Sequence, residues 1–371
     1  MSNDYGNWCP EIYRNIYIDR YNDDQVRVAP CCQAMTKLES VNTLNFNTSP
    51  YLTKLRNQFN QGERPSECRW CWELEDIGQK SRRQSAIEFF NLDPQDTLVQ
   101  LDSIDYNATW ACNLACIMCG PGSSSTWATE LEYDQIKLFE IGRRFQKTNT
   151  FLDKFDLTTI KKIHFNGGEP MLNNEQTTLL EQLEEQNSLK NTFISYNTNG
   201  TLMPSNKVVK LWEKAKLVKL FFSIDGTGSS YEYIRHPANW NQVSKNIKDM
   251  RDQLPGNVLF GFNIAVGSYN LLELADILKW FKENLATNRE GDPSDFCWQF
   301  VRNYDIKNLT RVAKEQALVS LYNQPEVQGI ITYVNSTINY TTNDAWINEL
   351  EKIDQRRGTN WRNSLQAGKY Y

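Results

Sequence analysis

No stretch of this chain of 371 residues reaches the ~20 consecutive apolar residues of a membrane-spanning helix, and its start lacks the charged-then-apolar pattern of a secretory leader. Neither membrane insertion nor export is expected, and the cytoplasm is the expected location. Basic residues are not in excess: 40 Lys and Arg stand against 45 Asp and Glu, a net charge of −5. Because the basic residues are also dispersed, bulk nucleic-acid binding is not expected, although a specific RNA substrate is compatible with that balance. Internal repeats and low-complexity tracts are missing. Histidine is scarce, with two in the chain; His164 lies inside a strand pattern and reads as packed in or behind a sheet, and His236 falls in a loop.

Cysteine is present in an informative pattern. Nine cysteines, grouped in pairs and triplets, read as metal ligation in a reducing compartment and not as a disulfide scaffold. Cys112, Cys116 and Cys119, in the run WACNLACIMCG, form a C-x3-C-x2-C triad. Thiolates hold [4Fe–4S] clusters, normally four per cluster, so three on one loop imply an iron with an open position for a small molecule. Structural zinc wants four closed ligands, and no obvious fourth lies near this run. Further on, KKIHFNGGEPML ends a β-branched and aromatic strand in Gly167-Gly168-Glu169-Pro170, a turn where backbone can approach a ligand beside one carboxylate.

Together, in this order and spacing, the two motifs resemble the radical S-adenosylmethionine (SAM) enzymes. The resemblance implies that Cys112, Cys116 and Cys119 hold the cluster. Met118 stands where the family often has an aromatic packing near the SAM adenine. Gly167, Gly168 and Glu169 match the motif that receives the methionyl amino group of SAM. It further implies reductive cleavage of SAM to a 5′-deoxyadenosyl radical, with electrons from an external low-potential donor.

Cys9, Cys31, Cys32, Cys68 and Cys71 all precede the triad. The segment WCPEIYRNIYIDRYNDDQVRVAPCCQ reads as a strand pair about the turn Tyr-Asn-Asp-Asp, which brings Cys9 and Cys31–Cys32 to one end of a hairpin. A helical stretch then leads to Cys68-Arg69-Trp70-Cys71, whose two-residue gap lets both thiolates reach one centre. The pattern resembles the auxiliary-cluster modules called SPASM and twitch, here at the N-terminus. That resemblance implies Cys9, Cys31, Cys68 and Cys71 as ligands of a second [4Fe–4S] cluster, with Cys32 as the substitute for Cys31. Zinc stapling a small subdomain is the competing reading. Trp8, Trp70 and Trp72 flank the cysteines as shields or as ordinary core.

Strands are expected at Leu98–Asn107, Ile160–Asn166, Asn191–Asn197, Val218–Ile224, Val258–Val266 and Phe296–Val301. Helical patterns lie between them at Ser125–Phe145, Asn174–Asn187, Lys207–Ala215, Trp240–Gln253 and Leu271–Leu285. Such alternation predicts an α/β fold with a parallel sheet, the partial (β/α)6 barrel of the radical SAM core. The expected domains are 1–95 for the auxiliary module, 96–306 for the core and 307–371 for C-terminal helices, with a linker at Gln84–Asp96.

Parallel α/β barrels place chemistry at the carboxyl ends of their strands. In related enzymes such positions bind the SAM ribose, which makes Ser223, Asp225 and Asn197 candidates, with Asn263 weaker. Arg235, in the loop after the fourth strand, is a candidate clamp for a carboxylate or phosphate of SAM or substrate. Hydrogen-atom abstraction requires neither histidine, and Cys297 reads as a small buried hydrophobe. The expected function is radical hydrogen abstraction from an unknown substrate, peptide or protein being favoured by the auxiliary module. Small-molecule or nucleoside modification, or a non-catalytic iron–sulfur or zinc protein, are the alternatives.

Overall fold

A computed structural model of the chain describes residues 6–20, 25–76, 78, 80–93, 96–107, 109–131, 155–287, 293–340 and 344–371. It divides into two compact units: Met1–Thr109, Asp134–Tyr196 and Lys210–Val218 form the first, and Trp110–Tyr133, Asn197–Val209 and Lys219–Tyr371 form the second.

The described strands are β1 (Asn15–Arg20), β2 (Gln25–Ala29), β3 (Lys37–Ser40), β4 (Ser103–Asn107), β5 (Lys162–Asn166), β6 (Phe193–Thr198), β7 (Leu217–Phe222), β8 (Val258–Val266) and β9 (Asp295–Phe300). In the first unit their order is β3-β2-β1-β4-β5-β6. β1 runs antiparallel to β2 and parallel to β4, and β4, β5 and β6 are parallel in turn. The second unit carries β7 from Lys219 on, β8 and β9, with β8 and β9 parallel. The α/β class and the parallel sheet expected from the sequence are both present. No helix among the described residues is long and apolar enough to cross a membrane.

Alternation with period two builds the sheet. Ile104 and Tyr106 on β4, Ile163 and Phe165 on β5, and Ile194 and Tyr196 on β6 are all buried. The aromatics among them pack in a row, with centroids 4.7 Å apart for Phe165–Tyr196 and 5.2 Å for Tyr196–Trp212, and Trp212 donates its indole N–H to the Tyr196 hydroxyl at 3.1 Å. Aromatic pairs of this kind bury large area and fix one arrangement. The alternate positions, Asp105, Asn107, His164, Asn166 and Ser195, are polar and point to the other face.

Helices follow their local signals. The run Trp240–Gln253 starts at Asn239, whose side chain accepts from the Gln242 N–H, and it buries Val243, Asn246, Ile247 and Met250 at the i, i+3, i+4, i+7 spacing. Of the helix expected over Ser125–Phe145, Ser125–Glu130 is described and residues 132–150 lie outside the described residues, as does the turn at residues 21–24.

Two expectations need correction. The linker at Gln84–Asp96 is largely helix: Arg82–Phe90 is helical, closed by a Ser81–Gln84 capping box and by Asn91 in the left-handed region. The first core strand begins at Ser103 and not at Leu98, because its pairing to Asn15 and Lys162 starts there. The strand pair expected at the N-terminus joins the sheet, since β1 adds to β4 in register with Tyr17 opposite Asp105. Its Ile16 and Ile18 are fully buried, which gives the hairpin a reason to dock.

Candidate active site

In the second unit, the loop after β4 carries the triad. Cys116 is buried, Cys112 half-buried and Cys119 exposed. They converge: the Cys119 thiol bonds to Cys116 and senses the charge of both Cys116 and Cys112. That bond, with the Arg235 guanidinium, holds Cys116 below the usual thiol range.

An irregular loop survives in a buried place only if its backbone groups find partners. The Ala115 N–H donates to His236 O at 2.6 Å and the Ile117 N–H to Ile234 O at 2.9 Å. Ser124 Oγ donates to Leu114 O at 2.5 Å, the Trp127 indole N–H to Cys116 O at 2.6 Å and the Tyr304 hydroxyl to Ile117 O at 3.2 Å. Arg357, from the C-terminal helix Ala345–Arg357, donates to Ala115 O at 2.7 Å, pairs with Glu130 and stacks 4.8 Å over Trp127. The C-terminal helix thus holds the cysteine loop through Arg357. Met118 is half-buried beside Cys119.

The remaining candidates of this unit divide. Ser223 and Asn197 are half-buried, and Asn197 accepts from Asn263 Nδ2 at 3.2 Å. Asp225 is fully buried with both oxygens engaged: Oδ1 takes the Ala265 N–H at 2.8 Å and Oδ2 takes Arg235 Nε at 2.8 Å. Arg235 in turn places an N–H 3.7 Å from Cys116 Sγ. These two residues therefore point at each other and at the cysteine triad, a different arrangement from the ribose and carboxylate contacts expected of them. Cys297, read as a buried small hydrophobe, is exposed. It sits in β9, where the polarity alternates weakly and gave no reliable inside.

In the first unit, Gly167 and Gly168 adopt φ +79° and +44°, which L side chains rarely adopt. Glu169 is fully buried and orients its carboxylate by accepting the Met171 N–H at 3.0 Å.

Four cysteines of this unit line one small cavity of about 20 Å³: Cys9, Cys31, Cys68 and Cys71. Trp8 and Trp72 belong to the apolar cluster packed against Cys9 and Cys68. Burial pushes the Cys68 thiol up to about 12 and the Cys9 and Cys31 thiols well above their usual range, so a metal centre would form there with proton release. Cys32 is absent from the cavity wall. Arg82 donates to its sulfur at 3.2 Å while pairing with Glu11 and Asp105, so Cys32 is turned aside. Among the described residues no three His, Cys, Asp or Glu side chains stand close enough to grip a single ion.

Sequence reasoning missed the polar face of the first unit. Register sets Tyr17, Asp105, His164 and Ser195 in one row across β1, β4, β5 and β6. His164 lies in this row, its Nδ1 2.7 Å from the Ser195 hydroxyl. The signal was the alternation in SIDYN, KIHFN and FISYN. Burial lowers His164 to about 4. As pH falls from about 6.5 toward 4, the unfolded chain binds this proton and the folded chain does not, so stability falls over that window. For a half-buried ring the loss is about 2 kcal/mol. Urea midpoints measured against pH are expected to show a shallower acid slope in His164→Gln than in the wild type.

Comparison with known proteins follows the same residues. Residues 106–281 match the model of the radical SAM superfamily. A GTP 3′,8-cyclase of Petrotoga mobilis is 30% identical over 154 residues, 39% of this chain and 42% of that protein. A GTP 3′,8-cyclase of Helicobacter pylori is 24% identical over 226 residues, 60% of this chain and 63% of that one. The chain thus spans 42% and 63% of the length of these curated relatives. The solved structure of Streptococcus suis SuiB bound to S-adenosylmethionine is 13% identical with a TM-score of 0.37, over 75% of this chain and 58% of that one. The cysteine triad and the match to the radical SAM superfamily model fall on the same stretch, residues 106–281 of this chain.

Proposed function

We propose that this protein is a radical SAM enzyme with an auxiliary cluster. The observation that carries the reading is the convergence of Cys112, Cys116 and Cys119 on a loop whose carbonyls and amides are taken up by Trp127, Tyr304, Arg357 and the His236 loop. Three thiols, one of them buried, fit a [4Fe–4S] cluster that keeps one iron open. The group supplies, when bound with SAM and a low-potential electron, the cleavage that yields a 5′-deoxyadenosyl radical.

The chain's own residues do the placing. The hydrogen-bonded loop sets the three sulfurs. Gly167 and Gly168, free of side chains, let backbone approach the methionyl amino group, and the buried Glu169 carboxylate meets its charge. Ser223 and Asn197 are assigned to the ribose and Met118 to the adenine. Cys9, Cys31, Cys68 and Cys71 are assigned to the auxiliary cluster, with Trp8 and Trp72 keeping water from it.

A peptide or protein substrate is the reading that the auxiliary site favours. The GTP 3′,8-cyclase relatives support a second, in which the substrate is a nucleotide. Under anaerobic conditions with a low-potential reductant, the wild type is expected to release 5′-deoxyadenosine from SAM, and the Cys112/Cys116/Cys119 triple alanine variant to release none. Equal release from both would refute the reading. Stimulation of release by GTP, and not by peptide fractions, would select the nucleotide.

A further inference from the structure

Arg235 and Asp225 form a buried charge pair aimed at the triad. Asp225 is fully buried and Arg235 is 9% exposed. The guanidinium gives Nε, at 2.8 Å, and a terminal nitrogen, at 2.6 Å, to Asp225 Oδ2, and its other terminal N–H lies 3.7 Å from Cys116 Sγ. The pair is itself fixed, since Asp225 Oδ1 accepts from Ala265 on β8. A second donor addresses the triad: Asn199 Nδ2 stands 4.0 Å from Cys112 Sγ and 3.0 Å from Asn113 Oδ1, and its own Oδ1 takes the Thr201 N–H at 2.9 Å.

We propose that Arg235 is a positioning residue that donates to the Cys116 thiolate and sets the reduction potential of the centre the triad holds, with Asp225 setting how much of its positive charge the centre feels. This rests on the reading of the triad given above. Charge and N–H donors at ligand sulfurs stabilise the reduced, more negative state, and they act most strongly where water is excluded. The carboxylate opposes part of that effect. Removing the guanidinium should therefore make the centre harder to reduce, and neutralising the carboxylate should make it easier.

The test is an anaerobic redox titration followed by electron paramagnetic resonance on reconstituted protein carrying Cys9, Cys31, Cys68 and Cys71 as alanine, so that only the triad's signal is read. Arg235→Gln is expected to lower the reduced fraction at fixed potential about tenfold, 59 mV for a one-electron couple. Asp225→Asn is expected to raise the potential, and Arg235→Lys to stay near the parent. A structural role would move both neutralising variants the same way or cost both their iron. Shifts of one sign, no shift, or loss of iron from all three variants would each overturn the proposal. If Arg235→Gln alone loses its iron, the Asp225→Asn potential decides: raised supports the proposal, unchanged or lowered overturns it. A parent protein without any triad signal would instead refute the function proposed above.

Discussion

Gly167→Ala is expected to lower stability by about 2–4 kcal/mol and to abolish SAM binding. The backbone there has φ +79°, where a side chain costs of the order of 1 kcal/mol. The greater part is steric. A Cβ at Gly167 would fall 1.5 Å from Asn107 Oδ1 and 2.1 Å from its Cγ, so the amide would have to swing away. Asn107 donates to the Tyr17 hydroxyl at 3.3 Å, and moving it breaks that bond on a half-buried face. Overpacking of this kind typically costs ~1–3 kcal/mol. The two parts separate in a double-mutant cycle. Asn107→Ala in the Gly167→Ala background should recover most of the stability loss, measured by urea unfolding, and leave about 1 kcal/mol for the backbone. SAM binding by calorimetry is expected to return only in part, because a side chain would still stand on the turn proposed to receive the amino group.

Cys31→Ala and Cys32→Ala are expected to behave in opposite ways although they are neighbours. Cys31 lines the cavity with Cys9, Cys68 and Cys71, so its removal should cost the auxiliary centre, about four irons per chain. Cys32 is held by Arg82, which also grips Glu11 and Asp105, and its removal should leave the iron count unchanged. The buried thiols are protonated without metal, so a lost centre leaves no uncompensated charge and the Cys31→Ala chain should still fold. Iron and sulfide analysis on the two variants decides. A loss in Cys32→Ala instead would reverse the ligand assignment.

How much of this was legible in the sequence depends on the range of the interaction. The triad and the Gly167–Glu169 turn stood out in the sequence because each sets its residue types at short, fixed spacing. β8 was read to the residue, since Val258–Val266 is rich in β-branched and aromatic residues. The helix Arg82–Phe90 was not read, because it buries only Arg83, Ala86 and Ile87 and its start signal is one Ser-x-x-Gln capping box. The docking of β1 on β4, the Arg82 pairs with Glu11 and Asp105, and the reach of Arg357 to Ala115 join residues far apart in the chain. No local pattern carries such contacts. Asp225 and Arg235 were singled out as separate candidates, and their mutual bond was invisible because each alone suits a loop at the end of a strand.

The central claim is that two cysteine sets hold two separate iron–sulfur centres, one of them the radical SAM cluster. Anaerobic reconstitution followed by iron, sulfide and zinc counts, on the wild type and the Cys112/Cys116/Cys119 triple alanine variant, tests it most directly. The expected result is about eight irons per chain falling to about four in the variant, with no zinc. About four irons with one zinc, and no iron in the variant, would reduce the first set to a structural staple. No iron in either protein would contradict the account itself.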